Sequence, residues 1–501
     1  MTKVSKALIN KLHEQSLHFF CELSKHPRGS GKEEKAADFL VDFAKARGLS
    51  YKRTTDIVNG KQTCTVIIYK PGTAGYEKAA PLILQAHFDM VCQKEPGSTH
   101  DFEKDPIEII IEGNIMKANN TTLGADNGVG CGLMMTFLDS DEISHPPLEA
   151  VFTSDEEDGM SGIIAVTPDM LLGKRMINLD SNDEGIFTYG CAGGINCDIY
   201  FPVTYEATPE DQPLLKLEIS NLMGGHSGGE IHKGRANSHL LLARILTHIH
   251  KNVPLHIAAL QGGDKRNVIP RVASAIFAVP SASKEDVLNL ITEMNHAFAV
   301  EYEDIELEME ISLSDASVDA TVIPGKVLGH TSTEKVIALM MAVPNDVMAM
   351  HNQIEGLVGT SCNLGSILLD ENEFRVLSSI RSAHSSKKDY MVDKFESIAT
   401  LAGANFSTSG AYPGWKPNVN SVLMKTFKEI YEATFTDKKP EFEAIHAGLE
   451  CGFISEKIPG IDIISCGPRI EDLHSPQERL YIDTLPRVVE LLLNVMLTMK
   501  E

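Results

Sequence analysis

The sequence has no excess of positive charge: its 501 residues include 45 lysines and arginines against 69 aspartates and glutamates. The resulting net charge of −24 argues against nucleic acid as a partner, because phosphates require a basic surface. The same charge argues against binding to anionic membranes. Acidity otherwise reports mainly on solubility.

The sequence also lacks a long apolar run and any Cys-x-x-Cys pair. No stretch approaches the ~20 apolar residues of a membrane span, and residues 1–12 contain no apolar core of signal-peptide length. The nine cysteines are scattered and odd in number, which argues against a disulfide framework. These absences predict a soluble protein in a reducing cytoplasm, with neither nucleic acid nor membrane as a partner.

What the sequence does contain is a 43% share of hydrophobic residues, enough for sizeable cores, and a length typical of about two to four domains. Short, nearly unbroken apolar runs predict strands that are buried on both faces; they occupy residues 63–70, 81–86, 148–153, 176–179 and 461–465. Helical patterns at 128–139 and 160–172 separate some of them. This alternation predicts an α/β domain with helices around a central, mostly parallel sheet.

The pattern changes near residue 194. From there to about 411, strand and helix patterns alternate in a different rhythm and pass through two similar rounds. The second round is predicted as strand 336–343, helix 345–355, strand 376–382 and helix 388–401. We therefore expect a catalytic domain made from residues 1–193 and 412–501, interrupted by an α+β lid domain at 194–411 with an internal duplication.

Five clusters of acidic residues or histidine carry the chemistry, and most of them follow an apolar run. They are His87-Phe-Asp89, Asp126-Asn-Gly, Asp155-Glu156-Glu157-Asp158, Asp180 and His474. The carboxyl ends of strands in an open α/β sheet share one edge, where sites form. Imidazole and carboxylate ligands suit zinc, manganese or cobalt without any thiolate. The sequence thus predicts a shared metal site.

Asp126 lies in a Gly-rich turn, from which its carboxylate can approach two cations, as bridging carboxylates do in sites with two metals. We expect His87, Asp126 and Asp180 to bind one cation, and Asp126, Glu157 and His474 to bind the other. Each cluster also has an ordinary explanation. An acidic run is often a solvated loop, Asp180 could cap a helix or form an Asx-turn, and His474 could belong to a plain turn. The joint placement favours the metal site.

Glu156 is the candidate general base. Neighbouring side chains on an extended segment point to opposite sides, so Glu157 can bind metal while Glu156 stays beside it. A free carboxylate there can take a proton from water and pass it to a leaving amine. Asp89, two residues after His87, would fix the tautomer of the imidazole.

These clusters resemble the motifs of the di-zinc metallopeptidase family of aminoacylases, carboxypeptidases and dipeptidases, over essentially the whole chain. The matching motifs are His87-Phe-Asp89, Gly124-Ala-Asp126-Asn-Gly, Glu156-Glu157, Asp180 and His474. Three further stretches resemble the dipeptidase branch: 222–237 around His226, 444–452 around His446, and 467–476 around His474. One departure is Ala86, where the family often has glycine. Another is 444–452, which differs from the Gly-rich loop of carboxypeptidases.

The resemblance implies a catalytic domain interrupted by a lid, which in long-lid relatives mimics the second subunit of shorter family dimers. It assigns His226 to the oxyanion, and Asn267 and Arg381 to the carboxylate of the substrate. His446 could be mistaken for the last metal ligand, but His474 is preferred because it follows the apolar run at 461–465 and a Gly-Pro turn. His446 is therefore expected to face the substrate or to lie around the metal ligands. The ordinary alternatives are a loop histidine for His226, a turn for Asn267 and a surface strand for Arg381.

The expected activity is hydrolysis of dipeptides, including those with carboxy-terminal histidine, with two divalent cations, zinc or else cobalt or manganese. An N-acyl amino acid deacylase or a carboxypeptidase on the same scaffold is the enzymatic alternative. A non-catalytic binding protein is the rival of another class, although such relatives usually lose ligands or the base. An extended lid suits either a monomer or a homodimer.

Overall fold

The computed structural model describes residues 4–316 and 322–500. The chain divides into two compact units. Unit 1 contains the chain up to Cys191, Trp415–Ala444 and everything from Leu449 onward, and unit 2 contains Ala192–Gly414 and Ile445–Gly448. Unit 2 therefore includes the short segment 445–448, which the expected boundaries at 194 and 411 leave in the other domain. The segment joins unit 2 through a hydrogen bond from Ala192 N to Ile445 O, 3.1 Å.

The elements up to residue 191 are α1 (Lys6–Leu23), α2 (Glu34–Ala46), β1 (Ser50–Arg53), β2 (Ile57–Val58), β3 (Lys61–Gln62), β4 (Val66–Lys70), β5 (Leu82–His87), β6 (Ile109–Glu112), β7 (Ile115–Ala118), α3 (Ala125–Asp139), β8 (Leu148–Thr153), α4 (Ser161–Ala165), β9 (Arg175–Asn178) and β10 (Ile186–Cys191). The middle elements are β11 (Gly193–Pro202), β12 (Tyr205–Ala207), β13 (Leu214–Ser220), β14 (Gly225–His226), α5 (Ser238–His250), β15 (His256–Gly262), β16 (Val268–Ile269), β17 (Ala273–Ala278), α6 (Lys284–Glu301), β18 (Glu310–Asp315), β19 (Lys326–Leu328), α7 (His330–Ala342), β20 (Asp346–Met350), β21 (Val358–Leu369), β22 (Glu373–Ser382), α8 (Ser385–Ala402) and β23 (Asn405–Tyr412). The last are α9 (Val422–Thr434), β24 (Glu441–Ile445), α10 (Cys451–Lys457), β25 (Asp462–Ser465), β26 (Ile470–Glu471), β27 (Arg479–Tyr481) and α11 (Leu485–Thr498).

Unit 1 is built on an eight-stranded mixed sheet in the order β1-β4-β8-β5-β9-β25-β10-β24. Its four central strands, β8, β5, β9 and β25, run parallel, and antiparallel strands flank them. Every residue of β5 and β8 is buried, which explains their unbroken apolar runs. The predicted α/β class is confirmed, and the parallel strands all end at the same edge.

Helices α1 and α3 pack closely in unit 1, and glycine makes the approach possible. A Cβ atom at Gly132 would lie 2.5 Å from the Ser16 carbonyl oxygen, so no larger residue fits without moving α1. The backbone of Asp126 and Asn127 is not helical, so the regular part of α3 that packs against α1 begins just after the turn that carries Asp126. No helix in the described part of the chain is long and apolar enough to cross a membrane.

Unit 2 is built on a nine-stranded sheet with the main order β18-β13-β17-β15-β21-β22-β11-β23. Its two halves have the same topology. In each, strands from a β-α-β-β-α-β sequence are arranged in the order 4-1-3-2, and the halves meet at β15 and β21. One repeat runs from β13 to β18. The other starts with β11, continues at α7 and ends at β23, so the first repeat is inserted into the second. The expected duplication is present.

Three of the predicted elements were wrong. Residues 336–343 belong to helix α7 rather than to a strand, and residues 345–355 contain strand β20 rather than a helix. The buried residues of α7 are 332, 333, 336, 337, 339 and 340, which is helical spacing. A short apolar run such as 336–343 does not by itself distinguish a helix from a strand. The predicted helix 160–172 is only α4 followed by a 3₁₀ turn at Pro168–Met170.

Candidate active site

The first group of predicted ligands gathers at the carboxyl edge of the unit 1 sheet. His87 is the last residue of β5 and is buried. Its Nε2 atom lies 3.2 Å from Asp126 Oδ1 and 3.3 Å from Asp180 Oδ1. Because β5 runs parallel to β9, which precedes Asp180, the two strands deliver these side chains to one place.

The second group adjoins the first through Asp126. His474 Nε2 lies 2.9 Å from Glu157 Oε1 and 3.4 Å from Asp126 Oδ2. Asp126 therefore directs one carboxylate oxygen to each histidine. Ligand atoms of His87, Asp126 and Glu157 all lie within 4.8 Å of one another. The structure thus brings together all five residues that the sequence predicts as metal ligands.

Buried charged side chains hold the turn that carries Asp126. The Glu478 carboxylate accepts hydrogen bonds from the backbone N–H groups of Leu123, Gly124 and Asp126, at 2.8, 2.9 and 3.2 Å. The fully buried Arg28 guanidinium donates to the carbonyl oxygen of Gly124 at 2.7 Å and to that of Phe88 at 3.0 Å. Arg28 therefore joins this turn to the residues that follow β5. Gly124 has φ +67°, a conformation that favours glycine.

Asp89 organises the other side of the site. It is fully buried and accepts hydrogen bonds from the backbone N–H groups of Glu156 at 3.0 Å and Glu157 at 3.2 Å. Its Oδ1 atom also faces His87 Nδ1 at 3.4 Å. A carboxylate in this position favours a proton on Nδ1. The lone pair of Nε2 is then free on the side that faces Asp126 and Asp180.

Several carboxyl groups lie close together in this site, and burial raises the pKa of two of them. Burial raises the pKa of the Asp180 carboxyl to about 7 and raises that of Glu156 well above its usual value. The carboxylates of Asp126 and Glu157 raise the pKa of the His474 imidazole to about 10. Acids crowded in this way need nearby positive charge in order to ionise together. The donor set consists of imidazole nitrogen and carboxylate oxygen and therefore fits divalent cations of the zinc type.

The residues that are predicted to bind the substrate lie in unit 2, and Arg381 stands at the centre of them. Arg381 on β22 is 9% exposed and donates from a terminal nitrogen to the Tyr412 hydroxyl at 2.8 Å, and its other terminal nitrogen lies 3.5 Å from His226 Nε2. The Nε atom of Arg381 has no hydrogen-bond partner within residues 4–316 and 322–500. His446 Nε2 lies 2.7 Å from the hydroxyl of Ser361, the register partner of Arg381.

Asn267 is exposed and lies beside His226. Its carbonyl oxygen accepts a hydrogen bond from Ser227 N at 2.9 Å. The next residue, Val268 on β16, is the register partner of His226 on β14. The buried Asn363 amide donates to the carbonyl oxygens of Arg266 at 2.7 Å and Val268 at 2.8 Å, one on each side of Asn267. The structure therefore places Asn267, His226 and Arg381 in one region of unit 2.

Three residues of these groups were missed from the sequence: Arg28, Glu478 and Tyr412. Arg28 and Tyr412 have no distinguishing local pattern. Glu478 follows His474 by four residues, which is the one hint that the sequence offers. Tyr412 occupies a space left by two glycines, since a Cβ atom at Gly194 or Gly448 would lie within 2.4 or 2.7 Å of its ring.

Comparison with known proteins identifies relatives along most of the chain. Residues 217–306 match the model of a peptidase dimerisation domain of the M20 type. The chain is 38% identical over 479 residues, 95% of its length and 96% of the relative, to the cytosol non-specific dipeptidase of Escherichia coli. An aminoacylhistidine dipeptidase from Vibrio alginolyticus shares 37% identity, with 97% of this chain and 96% of that one covered and a TM-score of 0.85. A tripeptidase from Staphylococcus aureus shares the fold at 15% identity, with 97% and 98% covered and a TM-score of 0.54.

The two-unit fold and the cluster of imidazole and carboxylate groups define a metal-dependent hydrolase. The chain belongs to the M20 family of metallopeptidases, as its identity to a member over nearly the whole length shows. The expected family is therefore confirmed.

Proposed function

We propose that this enzyme hydrolyses dipeptides, including those with histidine at the carboxy terminus. The observation that carries the proposal is the Asp126 carboxylate, which faces His87 with one oxygen and His474 with the other. The relatives support the substrate class, since one is called a non-specific dipeptidase and another an aminoacylhistidine dipeptidase.

Two divalent cations, which we propose to be zinc, would be held by the five gathered ligands, with Asp126 shared. Cobalt and manganese suit the same donors. When bound, such cations polarise a carbonyl group and make water acidic. His87 and Asp180 would hold one cation, and Glu157 and His474 the other.

Glu156 is the proposed general base. Its backbone N–H donates to Asp89, and its carboxyl lies close enough to His87, Asp180 and Glu157 to interact electrostatically with them. The carboxylate would take a proton from the attacking water and deliver it to the amine that leaves. Burial raises the pKa of the Glu156 carboxyl well above its usual value, which makes it a stronger base than an ordinary glutamate.

In unit 2, we propose that Arg381 and Asn267 bind the carboxylate of the dipeptide and that His226 donates to the oxygen that becomes negative in the transition state. His446 is proposed as a neutral contact for the substrate, because burial, with Arg381 nearby, lowers the pKa of its imidazole to about 3. The Nε atom of Arg381 supports this assignment, since it is a buried donor that finds no acceptor among the residues that the structure describes.

The match to a dimerisation domain lies within unit 2, so we propose that any homodimer forms through this unit, a point that sedimentation of the purified chain tests. We propose the cytoplasm as its location. The nine cysteines are all free thiols, and the relative from Escherichia coli is named for the cytosol.

The test is hydrolysis of a substrate panel by the purified chain before and after metal removal. We expect cleavage of dipeptides, loss of activity with a chelator, and recovery on adding zinc, cobalt or manganese. Tripeptides and N-acyl amino acids should be poor substrates. Faster hydrolysis of an acyl amino acid would indicate the deacylase alternative, and hydrolysis that resists chelation would contradict the metal assignment.

A further inference from the structure

Below the ligands, the central strands of unit 1 carry a row of buried polar side chains. Gln85 on β5, Asn178 on β9 and Ser465 on β25 are direct register partners in the parallel sheet, and all three are fully buried. Gln85 precedes His87 by two residues, and Asn178 precedes Asp180 by two. Since alternate residues of a strand share a face, Gln85 is on the same side of β5 as His87.

The row is a continuous hydrogen-bonded chain. Asn178 Nδ2 donates to Gln85 Oε1 at 2.5 Å, and Asn178 Oδ1 accepts from the Ser465 hydroxyl and from the backbone N–H of Asp180, the latter at 3.2 Å. Asn178 therefore contacts a proposed ligand residue directly. The orientation of each amide follows from its neighbour, because a reversed amide would place donor against donor.

This row of hydrogen bonds ends at Glu450, whose fully buried side chain lies just before α10. Its Oε2 atom accepts from Gln85 Nε2 at 2.5 Å and from the Thr153 hydroxyl at 2.6 Å. Thr153 ends β8 and precedes Glu156 and Glu157. Because Oε2 accepts both hydrogen bonds, Glu450 fixes the direction of the donors that point towards it.

We propose that Glu450 is a positioning residue for the metal ligands. Through Gln85, Asn178 and Thr153 it locks the ends of β5, β9 and β8, the three strands that lead to His87, Asp180 and Glu157. Residues that orient the ligands of a metal set its affinity even though they do not touch it. The inference rests on the proposed function for the metal site, but not on the choice of substrate.

The test is the affinity of the full-length, metal-free chain for Zn²⁺, measured by competition with a chelating dye. Glu450→Ala should weaken Zn²⁺ binding about 10–100-fold. Glu450→Gln keeps an acceptor oxygen for Gln85 and Thr153 and should stay within about threefold of the original chain. If Glu450→Gln keeps the Zn²⁺ affinity that Glu450→Ala loses, the loss is due to the missing acceptor oxygen and not to mutation of this position in general.

Glu149→Ala is the matched control. Glu149 is a buried carboxylate near the other end of the strand that carries Thr153. Within the described part of the chain it accepts only from the backbone N–H groups of Leu172 and Gly173, at 2.9 and 3.0 Å. The Glu149→Ala substitution should lower the melting temperature without changing Zn²⁺ affinity. Equal losses of affinity in Glu149→Ala and Glu450→Ala would overturn the proposal, because a merely structural role would then explain both.

A second pair keeps the test decisive if Glu450→Ala does not fold. Thr153→Val removes the hydroxyl and should weaken Zn²⁺ binding, whereas Thr153→Ser keeps the hydroxyl and should not. Equal affinities for these two variants would also overturn the proposal. A chain that shows the expected Zn²⁺ affinities but cleaves no dipeptide would refute the proposed substrate class alone.

Discussion

Replacing Arg381 by methionine should remove recognition of the carboxylate of the substrate. The guanidinium has five N–H donors. Two of them point to Tyr412 and His226, and the Nε donor has no partner among the described residues. A bidentate contact to a carboxylate can therefore form without breaking the bond to Tyr412. Two charge-assisted hydrogen bonds contribute about 3–6 kcal/mol in total, so kcat/KM should fall roughly 10²–10⁴-fold.

The assay compares a dipeptide with its carboxy-terminal amide. Arg381→Met should lower kcat/KM for the dipeptide by the stated factor but hardly change the slow hydrolysis of the amide, which has no carboxylate to bind. Arg375→Met is the control, since Arg375 lies on the same strand and pairs with Asp370 and Glu373 instead. An equal loss on both substrates, or a loss below tenfold on the dipeptide, would refute the reasoning about Arg381.

Three further outcomes are expected. Glu156→Gln should retain the metal content of the original chain by elemental analysis but lose roughly 10²–10⁴-fold in kcat, as expected when a general base is removed; retained activity would exclude Glu156 as the base. Asp126→Ala should lose bound metal in the same analysis, because its two oxygens face both histidines, and an unchanged metal count would contradict its bridging role. Burial lowers the pKa of His239 to about 4, so protonation favours the unfolded chain below pH 6.5. In urea unfolding, the free energy of unfolding of the original chain should exceed that of His239→Gln by about 3 kcal/mol less at pH 4 than at pH 7. A difference that stays constant with pH would contradict a neutral His239.

The sequence was most informative where local pattern and burial agree. The strands of the unit 1 core could be predicted because each is an apolar run long enough to cross a buried sheet, as in β5 and β8. The ligands could be predicted because His87 and Asp180 follow such runs directly. The local signal for His474 was weaker, since His474 lies several residues beyond its apolar run and a long stretch of chain separates it from Glu157.

Two kinds of feature could not be predicted in the same way. The apolar run of α7 fits a strand or a helix, and only its packing in unit 2 decides between them. The supporting polar residues depend on contacts across the fold: Glu450 binds Gln85, and Glu478 binds the turn before Asp126. Buried glutamates of this kind look like surface residues in a sequence, because the partners that satisfy them are remote in the chain.

The interleaved halves of unit 2 bear on how the protein is made. The half from β13 to β18 is continuous in the chain and can fold as soon as it leaves the ribosome. Strand β11 is synthesised earlier but must wait for β22 and β23, its partners on either side. Until then its backbone hydrogen-bonding groups lack their final partners, so a nascent chain would benefit from protection by a chaperone during that interval.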